Sequence, residues 1–131
     1  MLPLIVAIPL IAHGLANLTG VLAPWTKSLA GFVDVAWYFS DHGRLRSIWG
    51  QAYSLIWLAS SLCLVTAGAC VLLHQGWWVL MSGLGCLLSF AAITPWWRAV
   101  PPGARYGAVF DVLVIIWLAT PYSIPVIEAL R

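Results

Sequence analysis

Residues 4–22 read LIVAIPLIAHGLANLTGVL, an uncharged run about as long as the roughly 20 apolar residues that carry a helix across about 30 Å of hydrocarbon. Three more runs of this kind follow, over residues 47–73, 77–95 and 106–127. They are continuously apolar and do not alternate, and four strands are too few to close a barrel. A backbone in lipid must satisfy its own hydrogen bonds, which leaves helices. The sequence therefore predicts an all-α chain: a single domain over residues 1–131, built as a four-transmembrane-helix bundle.

Composition points to the same solvent. Hydrophobic residues make up 63% of the chain and charged ones 8%, with a mean hydropathy of +0.97. A soluble domain carries about 25% charged residues, so this chain cannot cover itself for water. The net charge of +2 is too small to suggest a nucleic-acid partner. The first run lacks the basic start and the small-residue cleavage site of a signal peptide, and Pro3 and Pro9 interrupt it. It is therefore read as a retained span. The Asn17-Leu18-Thr19 triplet matches a glycosylation acceptor, but it lies inside the span and is read as chance.

The breaks between runs set the topology. His74, Gln75 and Gly76 leave so short a turn that the second and third helices must form an antiparallel hairpin. Pro9, Pro121 and Pro125 are expected to kink or fray their helices. Lys27, Arg44 and Arg46 lie between the first two runs, Arg98 and Arg105 between the last two, and Arg131 alone lies on the other side. The positive-inside rule then places both ends outside the cytoplasm, in a membrane read as a bacterial plasma membrane. Trp25, Trp37, Trp49, Trp96 and Trp97 would form a belt at the cytoplasmic interface, with Trp77 and Trp78 at the opposite one.

The connection from Pro24 to Ser47 is too apolar for an ordinary loop. Leu29, Phe32, Val33, Ala36, Trp37 and Phe39 fit an amphipathic or re-entrant segment over about residues 28–40, with Ser28 as a cap and Gly43 beyond its end. It is read either as a surface helix plugging the bundle or as a lid over a lipid-facing pocket. Asp34 would pair with Lys27 or an arginine of the same layer.

Two polar features fall inside the spans. His13 and Asn17 are one turn apart and share a helix face, with Gly14 and Gly20 nearby to admit a neighbouring helix. Polar groups at such depth usually face the protein interior and either pair or serve a function. One reading is interhelical hydrogen bonding to Ser60, Ser61, Thr66 or Ser89. The other makes His13 and Asn17, with Phe32 and Trp37 above them, the contacts for a quinone, a porphyrin-type cofactor or a polar lipid head. No clear cofactor motif is present. A haem held by two histidines would need a second one at this depth, and His74 and His42 lie elsewhere. Asp111 is the other feature. Arg46, Arg98 and Arg105 share its layer, so a structural ion pair is expected, Arg46 and Arg105 being the partners singled out.

No catalytic constellation is visible. Cys63, Cys70 and Cys86 form no CxxC motif and read as packing residues, and no metal set, phosphate loop or paired carboxylates occur.

The stretch AHGLANLTG, the apolar LAGF that follows and the long second helix resemble the DoxX-like group of small four-helix bacterial membrane proteins. At the start of the second helix, where that group often has a glutamate with glycine, this chain has Trp49, Gly50 and Gln51. The resemblance implies a compact bundle with a partly inserted connection. It also implies company with quinone-linked sulfur oxidation or oxidative-stress machinery. Three functions remain open. The first is an accessory subunit of a larger membrane complex, offering the small residues Gly83, Gly85, Ala67 and Gly68 to partner helices or to copies of itself. The second is a binder or carrier of a lipophile such as a quinone, lipid or isoprenoid around His13, and the third a quinone-linked redox subunit.

Overall fold

The computed structural model describes residues 1–26, 31–39 and 43–130. Lys27, Ser28, Leu29, His42 and Arg131 lie outside the described residues. The order is α1 (Leu2–Leu22), α2 (Ile48–Leu72), α3 (Trp78–Ile93), a 3₁₀ turn (Thr94–Trp96), α4 (Pro102–Leu118), a 3₁₀ turn (Pro121–Ser123) and α5 (Ile124–Ala129). Three helices are long and apolar enough to cross a membrane, or four if α4 and α5 count as one span bent by 87°.

Local chemistry explains the boundaries. Pro3 sits in the first turn of α1 and Pro102 starts α4, positions where a missing N–H costs nothing. The fourth helix thus begins ahead of the expected Tyr106. Pro101 is held extended by the proline after it (φ −65°, ψ 159°). Nor does that helix continue to Ile127. Thr120, before Pro121, is also extended (ψ 154°), and the 3₁₀ turn that follows swings α5 away. Pro9, in contrast, lies inside an unbroken α1.

The turn between α2 and α3 is a Schellman cap. Gln75 N donates to Cys70 O at 2.8 Å and His74 N to Val71 O at 3.2 Å. His74 sits at φ 54°, where glycine is the usual residue.

Side chains are sorted for lipid. The buried face of α2 is Gly50, Ser54, Trp57, Ser60, Ser61, Leu64, Ala67, Gly68 and Val71, while Leu15, Leu55, Leu62, Leu113 and Ile116 are exposed. Small and hydroxyl residues line the helix contacts and large apolar ones face outward, as expected where lipid replaces water. At Gly14 a Cβ would lie 3.0 Å from Leu64 Cβ, so this glycine sets the approach of α1 to α2.

Two apolar clusters fill the interior. One gathers Phe32, Leu45, Trp57, Ile93 and Trp96, the other Leu10, Leu64, Val71, Trp78 and Leu130. Trp96 and Trp78 are core residues, each 1% exposed, whereas Trp25, Trp49 and Trp77 are largely exposed. Of the tryptophans expected at the two interfaces, one from each is thus packed inside the protein.

Residues 31–39 form no helix. Gly31 has φ 85°, and backbone bonds run outward to other segments: Val33 N to Ala99 O at 2.8 Å, Tyr38 N to Pro95 O at 3.0 Å, and Trp37 N to Gly43 O at 3.0 Å. The helical spacing of its apolar residues yields to an extended strap tied to the α3–α4 connection. Phe32 anchors it, buried edge-on against Trp57 at 6.1 Å.

Candidate functional site

Between the two apolar clusters lies a layer of polar side chains. His13 Nε2 is 2.8 Å from Asp111 Oδ1 and 3.2 Å from Ser89 Oγ, joining α1, α4 and α3. One turn further along α1, Asn17 Nδ2 donates to Ser60 Oγ at 2.9 Å, and Ser60 Oγ donates to Gly85 O at 2.8 Å. Ser60 has a single hydrogen, used on Gly85, so it can only accept from Asn17. The amide orientation follows from that.

Asp111 corrects the sequence-based expectation. Its partner is His13, and the arginines are engaged elsewhere. Arg46 reaches Thr26 O at 3.3 Å through its guanidinium and donates its backbone N–H to Asp34 Oδ1 at 3.2 Å. Arg105 lies over the Trp97 ring at 5.6 Å and Arg98 over Tyr38 at 4.8 Å. Helix rotation accounts for this: Asp111 faces inward and is fully buried, whereas the arginine side chains stay in the outer layer. A carboxylate has only acceptors, so the hydrogen of this bond is assigned to Nε2. Cys86 lies beside the same carboxyl group, yet Asp111 Oδ2 has no hydrogen-bond partner among the described residues.

Next to this layer, between α1 and α4, is a cavity of about 250 Å³. His13, Asn17 and Phe32 line it, with Trp57, Gly103 and Gly107 among the other walls. An engineered apolar cavity of about 150 Å³ takes a benzene ring, so this space holds a ring-sized or branched group with room to spare. The walls explain why it exists. A Cβ at Gly107 would meet His13 Cε1 at 2.7 Å, and one at Gly20 would meet the Trp57 indole at 2.6 Å. Gly107 seats the His13 ring between α1 and α4, and Gly20 seats the Trp57 ring of α2 against α1. At Gly103 a Cβ would meet nothing within 4 Å, because that position looks into the gap. His13 is 12% exposed, and its other face packs on Phe110 at 5.0 Å between ring centres.

Trp37 stands apart from this cavity. It packs with Trp96 at 6.1 Å, Tyr53 at 6.0 Å and Phe39 at 5.6 Å, and its indole N–H is buried without a partner among the described residues. The residues that sequence reasoning missed are Gly103 and Gly107. Their four-residue spacing on α4 is a small-xxx-small signal, matched by Ala16 and Gly20 on α1. Compared with known proteins, the chain matches no family, no curated protein and no solved structure.

Proposed function

We propose that this chain is a small integral membrane protein that binds a lipophilic molecule between α1 and α4, its polar end against His13 and Asn17. The observation that carries the reading is a cavity at the depth of a membrane span with a carboxylate-braced histidine on its wall. Purely structural polar pairs are usually closed over by packing. Here large rings seated on glycines keep the space open. Phe32 and the strap behind it would cover the end of the cavity nearer the basic residues. In this reading α4 and α5 complete a fourth span, both termini lie outside the cytoplasm of a bacterial cell, and the AHGLANLTG stretch, which resembles DoxX-like proteins, is the binding stretch.

Native mass spectrometry from gentle detergent tests it. Wild type is expected to carry an additional small-molecule mass that Gly103→Leu loses, because the new side chain fills the cavity without touching the His13–Asp111 pair. A bare wild type would overturn the reading.

One observation favours the alternative of an accessory subunit. Val79, Gly83 and Leu87 on α3, with Ile115 and Leu118 on α4 and Ala119 just past its end, form an outward apolar groove, where a Cβ at Gly83 would stand 3.9 Å from Leu118. A bare chain that co-purifies with other membrane subunits would support that role.

A further inference from the structure

We infer that the cavity between α1 and α4 selects a ligand whose polar end donates hydrogen bonds, a hydroxyl or phenol, over one that only accepts them. The inference rests on the cavity being a binding site and concerns what it recognises. Its basis is the direction of each hydrogen bond around the cavity wall.

On α1 most donors are committed, the second amide hydrogen of Asn17 excepted. The Nε2–H of His13 is directed at Asp111, with Ser89 close by. Asn17 gives a hydrogen to Ser60, whose own hydrogen goes to Gly85 O. The Thr19 hydroxyl, also on the wall, donates to Ala16 O at 2.8 Å. What remain are that one amide hydrogen and two acceptors. A neutral imidazole with its hydrogen on Nε2 presents a lone pair at Nδ1, and Nδ1 has no hydrogen-bond partner among the described residues. It lies on the Gly107 side of the ring, 3.4 Å from the place a Cβ would take there, and Gly107 is itself a cavity wall. Asn17, with its amide nitrogen committed to Ser60, keeps Oδ1 as a second acceptor, likewise unpartnered among the described residues. His13 and Asn17 are four residues apart, so the two acceptors stand one turn apart along the same wall.

Asp111 is the positioning residue. By accepting from Nε2 it fixes which ring nitrogen carries the hydrogen, just as an outer carboxylate fixes the tautomer of a ligating histidine. A carbonyl or ether oxygen brought to this wall could use only the spare Asn17 hydrogen and would leave both lone pairs unmet. A hydroxyl would satisfy one of them.

The test uses the full chain in lipid nanodiscs and a matched pair of probes, 4-octylphenol and its methyl ether, in which a methyl group replaces the hydroxyl hydrogen. Binding is read by tryptophan quenching, with empty nanodiscs subtracted to remove partition into lipid. The expected result is that the phenol binds about tenfold more tightly than the ether to wild type, the ratio that one net hydrogen bond supplies. Gly103→Leu should lose both. Equal binding of the two probes, abolished by Gly103→Leu, would overturn the selectivity and leave the binding cavity standing. Binding of neither probe, or binding that Gly103→Leu leaves intact, would overturn both.

Discussion

Breaking the bond between His13 and Asp111 should cost different amounts from its two ends. His13→Ala strands a fully buried carboxylate whose Oδ2 already lacks a hydrogen-bond partner. Removing one member of a buried pair costs about 3–5 kcal/mol, and the low end applies here because the cavity beside the ring can admit water. Asp111→Ala is milder. It leaves His13 with Ser89 at 3.2 Å and an edge on the cavity, and it deletes the unsatisfied Oδ2 along with the carboxylate, so about 1–2 kcal/mol is expected. The double variant should then be less damaging than the two singles added together. Interhelical hydrogen bonds in membranes couple by about 0.6 kcal/mol on average and by about 1.7 at most, and a 2.8 Å bond to a carboxylate belongs near that upper end. The assay is equilibrium unfolding in mixed detergent, followed by loss of helical circular dichroism, for wild type, both single variants and the double. Additivity within about 0.3 kcal/mol would refute the pairing. So would stronger coupling of Asp111→Ala to Arg105→Ala than to His13→Ala, since it would restore the arginine partner.

Three further outcomes follow from particular residues. His74 holds the left-handed position of the α2–α3 cap at φ 54°, so His74→Gly should raise stability by roughly 0.5–1 kcal/mol in the same unfolding assay; a loss of that size would mean the imidazole has a role of its own. Gly14→Leu should destabilise by roughly 1–3 kcal/mol through overpacking, because a Cβ there already stands 3.0 Å from both Leu64 and Val65; an unchanged midpoint would show that α1 and α2 are not pressed together at this point. With the native cysteines replaced by alanine, Gln75→Cys should react with an impermeant maleimide added outside intact cells, and Arg98→Cys only after lysis. The reverse pattern would invert the proposed orientation.

How much of this was legible beforehand differs by feature. Residues 47–73 and 77–95 announced α2 and α3 to within a few residues, because an apolar run without a breaker is a local property. The strap was misread as helical because Phe32, Val33, Ala36 and Trp37 have the spacing of a helix face, while the backbone bonds that override it reach residues 95 and 99, far along the chain. The end of α4 was overextended for a related reason. Two prolines inside an apolar run leave its hydropathy intact but remove the donors a straight helix needs.

Sequence alone determined the solvent and the class of element. Lipid partition sums residue by residue along the chain, and a backbone in lipid must hydrogen-bond to itself. It also marked His13, Asn17 and Asp111 as costly at their depth, since that cost depends on the residue and its place in a span. Only the tertiary structure decided which of them meet. Asp111 lies 98 positions from His13, and its choice of the histidine over the nearer arginines depends on how each helix turns about its own axis. The cavity belongs to that level too. Gly103 and Gly107 become walls only when α4 is set against α1 with the His13 ring seated on Gly107, and the Trp57 ring of α2 is seated on Gly20.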